Sequence, residues 1–595
     1  MVVTSTLPPI DIPNTNVVDY VLGECRRLRG DDHPLFVDSS TGDSLTIGQV
    51  RSMAYRFSAG LRNKCKLRAG DTVAIVARNS IHFPIAAYGV VAMGAICTPA
   101  NPSYTPAELA HQLADSQCKA VIVGDESRDT VAQALELVPQ KVEHVLLMDE
   151  AKAMCSGSIF EIIGSADEAA ADEQSSPSLP DVGEAPAYLC YSSGTTGKPK
   201  GVLLTHRNMV ANAMQINGIK QLDDKSHHRH DSLAGDEGET FLGLAPFCHA
   251  YGLSYVLHSS VSLGGKIIIM PSYSFTKFLC AVSDYRITFG YLVPPIVCAL
   301  SKDPRVDDHD LSSLHTILSG GAALSPSLIE TTEERLRGVR VIQGYGMTEM
   351  SPAITMQATC HRNPASIGVL MPNCQAKVVD EDNNEVRDPT EPGELCFKGP
   401  NVMPGYLNNQ AATDDIFDAD GFLHTGDIGY IDADGFFYIT DRKKEIIKYK
   451  GFQVSPSELE SILAEHPDIE DAAVMSVYDD NQATEIPRAY FVLAKQPDTE
   501  EASGSSSSSS SSRSTSVCSS GADSGYMPGV VEDTVRAQAV VDWLHERVAR
   551  YKRLRGGFVL IDHIPRSPAG KIIRKSLRDM EHVTSRESST VSSTA

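Results

Sequence analysis

Apolar runs rich in β-branched residues alternate with helix-period patterns along most of this 595-residue chain. The runs that predict strands lie at 72–77, 120–124, 144–148, 266–270 and 339–343, and the clearest helical patterns lie at 105–116 and 325–337. Parallel strands need a crossover between them, which is usually a helix. The alternation therefore predicts βαβ units, largely parallel sheets and an α/β fold.

The pattern of predicted strands and turns changes beyond Pro372. The predicted strands become shorter there, and acidic turns recur at 380–384, 418–421 and 432–435. Short strands joined by tight turns are typical of antiparallel sheets, so we expect a β-rich subdomain in this part of the chain.

A break near Asp441 divides the chain into a large domain, 1–440, and a smaller, mobile α+β domain, 441–595. The segment 455–458 places a capping Ser, a first-turn Pro and a Glu three residues after the cap, which predicts a helix start. Within the small domain, a Ser-rich tract at about 497–528 contains eight consecutive serines and is too polar to form a core. We interpret it as a disordered insert, and we expect the tail from about 583 to be disordered as well.

The acidic stretch 223–239 contains three histidines, His227, His228 and His230. Their spacing lacks the Cys or carboxylate framework of a zinc site. We therefore interpret the stretch as a solvated loop.

The net charge of the chain excludes one class of partner. There are 52 Lys and Arg residues against 76 Asp and Glu residues, which gives −24. Binding a phosphate backbone requires a basic surface that releases counterions, so nucleic acid is not an expected partner.

Cysteine usage and hydropathy bear on the compartment. Thirteen cysteines without a CxxC pair indicate reduced thiols. Pro and Gly interrupt the uncharged stretch 79–107, which predicts a buried helix followed by a strand and no transmembrane segment. The first sixteen residues lack a secretory pattern, and the last three are not Ser-Lys-Leu. We expect a cytoplasmic protein, with peroxisomal import by another route as the alternative; the oligomeric state is left open.

The strongest local signal is the segment 191–201, Tyr-Ser-Ser-Gly-Thr-Thr-Gly-Lys-Pro-Lys-Gly. Its small residues let backbone N–H groups approach phosphate oxygens, while its hydroxyls and two lysines add donors and positive charge. The order of a Walker A loop is absent. Composition alone would also allow a Ser/Gly surface loop.

These eleven residues resemble the phosphate-loop signature of the adenylate-forming enzymes, which include acyl-CoA synthetases, aryl-CoA ligases, beetle luciferase and amino-acid adenylation domains. Further stretches resemble that family's motifs in the same order, at 344–349, 424–427, 441–454 and 565–571. The segment 393–399 is similar to a signature of the 4-coumarate:CoA ligase branch. The resemblance implies two steps: ATP and a carboxylate give an acyl-adenylate and pyrophosphate, and the thiol of CoA then displaces AMP to give a thioester.

The resemblance also implies an ATP site in the large domain. Phosphate contacts would come from Ser192, Ser193, Gly194, Thr195, Thr196, Gly197 and Lys200. The adenine and acyl groups would lie against small residues and a glycine turn, namely Gly320, Gly321, Ala322, Gly344, Tyr345 and Gly346. Thr348 would contact the α-phosphate, and Glu349 would hold Mg²⁺, a hard cation that prefers oxygen ligands.

Two further residues match positions at the acyl pocket. His249 matches the family's aromatic-His position, and Tyr251 matches a position that shapes the aryl pocket in the ligase branch. Without the motif, a lone His would be interpreted as a core residue. The match makes an aromatic acid a reasonable substrate.

The resemblance implies further residues after the large-domain ATP site. Asp427 would accept hydrogen bonds from the ribose hydroxyls. Arg442 would reach the same ribose or a phosphate. Lys571 would be the catalytic cation, because adenylate formation brings two anions together. The residues that serve the adenylate and thioester steps would be Lys448, Lys450, Gly451 and Gln453. Lys444 occupies the family's hinge position, and rotation there would exchange the Lys571 face for the Gly451 face.

The sequence therefore predicts an ATP- and Mg²⁺-dependent acid:CoA ligase acting on an aromatic, hydroxycinnamate-like acid or on a medium- or long-chain acid. Three alternatives are kept open: an adenylating enzyme that loads a carrier protein, a luciferase-like oxygenase, and a non-catalytic acyl or nucleotide sensor. The intact Lys571, Glu349, Asp427 and Lys200 argue against the sensor. Cys248, where amino-acid adenylation domains carry an acidic residue, argues against an amino acid substrate.

Overall fold

The computed structural model describes residues 2–148, 158–164, 181–192, 199–227, 238–388, 390–443, 445–449, 452–479, 484–494, 528–567, 570–574 and 576–580. Its strands, numbered in chain order, are β1 (Val2–Thr4), β2 (Pro34–Asp38), β3 (Ser44–Thr46), β4 (Thr72–Val76), β5 (Ile96–Ala100), β6 (Ala120–Val123), β7 (His144–Leu147), β8 (Pro186–Ser192), β9 (Lys200–Thr205), β10 (Thr240–Gly243), β11 (Lys266–Ile269), β12 (Phe289–Leu292), β13 (Thr316–Ser319), β14 (Arg340–Gly346), β15 (Ala353–Met356), β16 (Val369–Leu370), β17 (Gln375–Val379), β18 (Gly393–Lys398), β19 (Gly405–Tyr406), β20 (Leu423–Ile431), β21 (Phe437–Arg442), β22 (Ile447–Tyr449), β23 (Phe452–Val454), β24 (Ile469–Asp479), β25 (Thr484–Leu493) and β26 (Phe558–Leu560).

The α-helices are α1 (Val17–Arg29), α2 (Ile47–Asn63), α3 (Phe83–Ala92), α4 (Pro106–Asp115), α5 (Arg128–Leu137), α6 (Ile159–Ile162), α7 (His206–His227), α8 (Phe275–Asp284), α9 (Pro294–Lys302), α10 (Pro326–Arg335), α11 (Gln410–Ile416), α12 (Pro456–Ala464) and α13 (Pro528–Arg547). A π-helix spans Gly252–Ser260, and a short 3₁₀-helix spans Thr348–Met350. The strands and helices expected from the sequence pattern are confirmed, with ends that differ by up to three residues.

The described chain forms two compact units. The large unit contains Met1–Glu391, Leu395–Thr425 and Ile431–Tyr438, and the small unit contains Pro392–Glu394, Gly426–Tyr430 and Ile439–Ala595. The boundaries of the small unit thus fall inside β18, β20 and β21. The division at 440 expected from the sequence stays a prediction.

A nine-stranded sheet of the large unit has the order β16-β15-β14-β13-β12-β10-β11-β2-β3. Strands from β2 to β14 in this order pair in parallel, and antiparallel pairs stand at the two ends. Apolar residues of α8, α9 and α10 pack with strand residues such as Ile317 and Val341 in one buried cluster. The predicted βαβ architecture is confirmed, and it brings the carboxyl ends of β13 and β14 to one edge.

A seven-stranded sheet of the large unit has the order β19-β9-β8-β5-β4-β6-β7. Its parallel centre explains why β4 and β6 are buried along their whole length. The ten residues of α3 are all buried, and β5 follows, which confirms the buried helix and strand predicted for 79–107. Among the described residues, no helix combines the length and apolar character that a membrane crossing requires.

A third, five-stranded sheet has the order β1-β17-β18-β20-β21. The acidic turns predicted for this region are present, since the N–H groups of Asp380, Gly421 and Gly435 close them through backbone hydrogen bonds. The strand β1 pairs with β17 in the antiparallel sense. The sequence change beyond Pro372 thus corresponds to a β-rich region.

The small unit contains the sheet β24-β25-β26 and the hairpin β22-β23. The helix α12 begins where the sequence predicts, because the Ser455 side chain accepts from the Glu458 N–H and Pro456 is the first helical residue. Residues of α12, α13 and the two sheets share one apolar core that includes Leu459, Phe491 and Leu544.

The prediction of a loop at 223–239 is partly wrong. The helix α7 extends to His227, so the first five residues of 223–239 are helical and not part of a loop. The last turn of α7 is polar and carries little amphipathic pattern, so the sequence does not predict that the helix continues to His227. Residues 228–237 lie outside the described part of the chain, as do 495–527 of the Ser-rich tract and 581–595 of the tail. The described cysteines are free thiols, and most of them are buried.

Candidate functional site

The predicted phosphate segment begins and ends on paired strands. Ser192 is the last residue of β8 and Lys200 the first of β9, and the two face each other in the antiparallel register. The predicted contacts Ser193, Gly194, Thr195, Thr196 and Gly197 between them lie outside the described residues. The two described ends nevertheless fix where the segment leaves and rejoins the sheet.

The carboxylate of Glu349 lies beside this strand pair. Glu349 is 5% exposed and belongs to the 3₁₀-helix that follows β14. Its Oε1 accepts hydrogen bonds from Ser192 Oγ at 3.0 Å and from Tyr406 Oη at 2.9 Å. Both donors are neutral hydroxyls, and the other oxygen, Oε2, has no hydrogen-bond partner among the described residues. Thr348, the neighbouring candidate, is half-buried.

Tyr406 was not anticipated from the sequence. It reaches Glu349 because β19 pairs with β9, with Tyr406 opposite Val202. Burial and the carboxylate of Glu349 raise the pKa of Tyr406, so the phenol stays protonated and donates. Lys200 Nζ lies 4.8 Å from the centre of the Tyr406 ring, which favours the ammonium there. No local sequence signal marks this tyrosine, since its role depends on a distant strand pairing.

The last three residues of β14, Gly344, Tyr345 and Gly346, precede the segment that carries Glu349, and they pair with β15, so the glycine turn predicted here is wrong and the glycines end a strand. A Cβ at Gly346 would lie 1.8 Å from the Pro352 carbonyl oxygen, so only glycine fits. The same carbonyl accepts the Met347 N–H at 2.9 Å. At Gly344 a Cβ would lie 3.1 Å from Tyr255 Oη. Tyr345, between the two glycines, is half-buried, and its ring lies 6.1 Å from that of Phe397.

The other small-residue segment follows β13 at the same sheet edge. Gly320 is buried, whereas Gly321 and Ala322 are exposed, and Gly321 adopts a φ of 89°. A Cβ at Gly320 would lie 3.3 Å from the ring of Tyr251. Carboxyl ends of parallel strands are the usual place for ligands in sheets of this class. The structure brings these residues and the Gly344–Gly346 end of β14 to that edge.

Tyr251 is placed behind Gly320. Its hydroxyl donates to the Leu318 carbonyl at 3.0 Å, and the Leu292 carbonyl lies 3.3 Å away. The hydroxyl is therefore engaged by the protein, and the ring supports the glycine. His249 is half-buried, and its Nδ1 accepts the Tyr251 N–H at 3.3 Å. This contact relates the two predicted acyl-site residues directly.

Tyr255, on the π-helix, is a second residue that sequence reasoning missed. It forms a cluster with Tyr251 and Tyr291, with ring centres 5.1 and 5.5 Å from its own. The hydroxyl of Tyr291 pairs with Ser260 Oγ at 2.7 Å, and that of Tyr251 is engaged as well. Tyr255 is 3% exposed, yet its hydroxyl has no hydrogen-bond partner among the described residues. This hydroxyl is the atom that a Cβ at Gly344 would approach to 3.1 Å.

In the small unit, charges of alternating sign form a chain, here called the charge ladder: Asp427, Arg442, Glu445, Arg574 and Glu460. Arg442 pairs with Asp427 at 3.1 Å and with Glu445 at 3.5 Å. Arg574 pairs with Glu445 at 3.3 Å and with Glu460 at 2.7 Å. The predicted ribose residues Asp427 and Arg442 are thus brought together.

Lys571 lies in the electrostatic field of the ladder. Burial and the guanidinium of Arg442 lower its pKa from 10.5 to about 8, although Glu445 and Asp427 act in the opposite direction. Lys571 is half-buried, so it is not the solvated basic tail that composition alone would suggest. Its ammonium is still mostly protonated at neutral pH.

Glu394 organises the start of the small unit. Its Oε1 accepts the Gly426 N–H at 2.9 Å and its Oε2 accepts from Lys443 Nζ at 2.9 Å. One buried carboxylate thereby ties the turn before Asp427 to the segment after Arg442. In the sequence, only its place in the 393–399 signature indicated that Glu394 matters for this region, and nothing there indicated its partners Gly426 and Lys443.

The hairpin β22-β23 carries the predicted thioester residues. Lys448 and Gln453 are register partners in the two strands. The Lys448 N–H donates to Glu485 Oε2 at 2.8 Å, and its side chain is exposed. Gln453 is described by its backbone alone. Lys444, Lys450 and Gly451 lie outside the described residues.

Two family models match the chain: an AMP-binding enzyme model over residues 26–407 and an AMP-binding enzyme C-terminal domain model over residues 458–506. Among curated proteins, it is 34% identical to a probable 4-coumarate-CoA ligase 1 of Dictyostelium discoideum over 97% of both chains. It is 35% identical to 4-coumarate:CoA ligase 1 of Petunia hybrida, over 92% of this chain and 90% of the relative.

Two solved structures share the fold. The anthranilate CoA ligase AuaEII, in complex with anthranoyl-AMP, superposes with a TM-score of 0.76 at 23% identity, over 96% of this chain and 98% of that one. A benzoate CoA ligase from Burkholderia xenovorans LB400 superposes with a TM-score of 0.73 at 22% identity, over 95% and 100%. At these identities the likeness establishes the architecture.

Proposed function

The chain belongs to the AMP-binding enzyme family, and from this premise we propose that it joins a carboxylic acid to CoA through an acyl-adenylate. The observation that carries the proposal is the buried Glu349 carboxylate beside the Ser192–Lys200 strand pair. A carboxylate held by neutral hydroxyls keeps its negative charge for a cation. Its unshared Oε2 suits Mg²⁺, which prefers carboxylate and phosphate oxygen.

The residues present therefore fit a magnesium ion. Glu349 would hold it, and when bound it would supply charge neutralisation at the triphosphate. Ser192 and Tyr406 would orient the carboxylate through Oε1. Lys200, over the Tyr406 ring, would contribute a fixed positive charge to the phosphates.

Adenylate formation needs a further cation, because the acid's carboxylate attacks a phosphorus that already carries negative oxygens. We assign this role to Lys571. Its lowered pKa leaves it protonated at neutral pH while reducing the cost of releasing it to solvent. Asp427 would accept hydrogen bonds from the ribose, with Arg442 holding the carboxylate in place.

In the second step the CoA thiol attacks the acyl carbon and AMP leaves. We propose that the hairpin of Lys448 and Gln453 serves this step, together with Lys450 and Gly451. The exposed Lys448 side chain and the backbone pairing of the two residues support the assignment. Rotation at Lys444 would exchange Lys571 for this hairpin between the steps.

For the acid, we propose an aromatic substrate. Gly320 and Gly344 have no side chain, and the Tyr251 ring and the Tyr255 hydroxyl lie within about 3.3 Å of where their Cβ atoms would be. Backbone without side chains suits a flat ring, which can pack against it. A medium- or long-chain acid is the alternative.

We also propose that the protein lies in the cytoplasm, because the described cysteines are free thiols, as expected in a reducing compartment.

The test is pyrophosphate release by the purified protein with ATP and Mg²⁺, using hydroxycinnamic, benzoic, medium-chain, long-chain and amino acids, each with and without CoA. We expect one aromatic class to give pyrophosphate and a CoA thioester. Pyrophosphate without consumption of CoA would favour carrier loading, and oxidised product without CoA would favour the oxygenase. Nucleotide binding with no turnover of any acid would favour the sensor and reject the proposal.

A further inference from the structure

One arginine forms hydrogen bonds both to the turn that carries Lys571 and to the small sheet. Arg566 Nη1 donates to the Gly570 carbonyl at 2.7 Å, immediately before Lys571. Its other two nitrogens reach Asp471 on β24, with Nε donating to Oδ2 at 3.0 Å and Nη2 to Oδ1 at 2.7 Å. The guanidinium thus joins a strand of the small sheet to the residue next to the catalytic candidate.

Hydrogen bonds within the turn fix its shape but not its place. The Ser567 N–H donates to the Lys571 carbonyl at 2.7 Å, and the Lys571 N–H donates to Ser567 Oγ at 3.2 Å. These bonds close the turn on itself. Arg566 instead connects it to β24, which pairs with β25 over ten register positions and gives a rigid base.

The chemistry of the Arg566 hydrogen bonds requires arginine. Only a planar guanidinium can give two parallel bonds to a carboxylate and a third, divergent bond to a carbonyl. The side chains of Arg566 and Asp471 are 21% and 28% exposed, so the pair is partly shielded from solvent. Asp471 is itself oriented by the Ala472 N–H, which donates to Oδ1 at 2.9 Å.

We propose that Arg566, oriented by Asp471, is a positioning residue for Lys571 in adenylate formation. The inference rests on the proposed function, since it assigns Lys571 to the first step only. Arg566 acts by setting where the Lys571 backbone lies, and it contacts no substrate itself. Loss of this clamp, meaning the Arg566 hydrogen bonds to Asp471 and to the Gly570 carbonyl, displaces the Lys571 ammonium. Misplacement by about 1 Å costs on the order of 100-fold in rate.

The small unit offers a matched control. Arg536 Nη2 donates to Asp468 Oδ1 at 2.9 Å and to the Ala494 carbonyl at 3.0 Å, and its side chain is 16% exposed. It therefore also joins a carboxylate to a carbonyl, and its hydrogen bonds and ion pairs among the described residues do not include the Lys571 turn. Arg536→Lys reports the cost of weakening such a bridge when the turn itself keeps its bonds.

The experiment separates the half-reactions in the full-length protein. Adenylate formation is followed by single-turnover pyrophosphate release, and thioester formation by adding synthetic acyl-AMP and CoA. We expect Arg566→Lys and Asp471→Asn to slow the first by about 10- to 100-fold and to change the second by no more than about twofold. Equal loss in both half-reactions, or a loss that Arg536→Lys reproduces, would mean a structural role and overturn the proposal.

A second readout does not need turnover. Acetylation of Lys571 by acetic anhydride, followed by mass spectrometry across pH, should have its midpoint near the pKa of about 8. We expect Arg566→Lys to raise that midpoint by about one pH unit, because the displaced ammonium becomes better solvated. Arg536→Lys should leave it unchanged. If no acid gives pyrophosphate, the proposed function fails, and an unshifted midpoint in Arg566→Lys then rejects the clamp on its own.

Discussion

The two units hold the charges of their candidate site residues in opposite ways. In the large unit, Glu349 is buried, and the donors to its carboxylate among the described residues are neutral hydroxyls. In the small unit, each charge of the ladder from Asp427 to Glu460 meets one of opposite sign. A carboxylate that receives only neutral donors keeps its charge available to a cation, whereas a carboxylate paired with arginine, such as Asp427, can still accept hydrogen bonds from neutral hydroxyls. The contrast separates a residue proposed to bind a cation from residues proposed to bind the ribose or to position the chain.

The largest effect should come from Lys571→Ala. Because this cation acts while two anions approach each other, we expect adenylate formation to fall by about 100- to 1,000-fold. Thioester formation from added acyl-AMP should be nearly unaffected. Single-turnover pyrophosphate release measures the first step. Equal losses in the two steps would place Lys571 among residues that stabilise the small unit. The small unit would then have no cation assigned to adenylate formation to compare with Glu349 of the large unit.

Glu349→Gln tests the uncompensated charge of the large unit. The amide keeps the shape but loses the anion, so we expect the Mg²⁺ concentration for half-maximal rate to rise by about 100-fold. Titration of pyrophosphate release with MgCl₂ measures this. Glu333→Gln is a suitable control, since that carboxylate is paired with Arg362 away from the site. An unchanged Mg²⁺ dependence would exclude Glu349 as the metal ligand.

The pH dependence sharpens the description of the small unit. The pKa of Lys571 lies at about 8, so the ammonium is present below that pH and is lost above it. We expect kcat/KM for adenylate formation to be level up to about pH 8 and then to fall about tenfold per pH unit. Lys571→Arg, which stays charged, should remove this fall at a lower overall rate. A fall that persists in Lys571→Arg would belong to another group.

The smallest effect should come from Tyr406→Phe. It removes one neutral donor to Glu349 and leaves the carboxylate charged, so we expect the half-saturating Mg²⁺ concentration to change by only about fivefold. The same MgCl₂ titration applies. A change as large as that of Glu349→Gln would show that the hydroxyl contributes more than orientation.

Local patterns predicted much of the fold. The strand runs, the helix at 105–116, the Ser455 helix cap and the acidic turns depend on residues close in sequence, and each is present. The motifs identified the glycines before Glu349, which end β14 and do not form the predicted turn. They also identified the turn before Lys571. The end of α7 was a second exception, because its last turn is polar.

The partners of the site residues were not predictable from the sequence. Tyr406 reaches Glu349 only through the pairing of β19 with β9, and Asp471 reaches Arg566 only because β24 lies under the turn. The Tyr255 hydroxyl differs from those of Tyr251 and Tyr291 because these two form hydrogen bonds within the protein. One sequence contains no record of such contacts, since each depends on how distant segments pack.

The small unit is assembled from three separate stretches of chain, and this affects how hybrids of such proteins should be built. A single crossover at residue 440 would take Lys443 from one parent and Glu394 and Gly426 from the other, although one carboxylate joins all three. A graft that transfers residues 392–394 and 426–430 together with the part from 439 onwards keeps both ends of that bridge. The natural unit of exchange is therefore discontinuous in sequence.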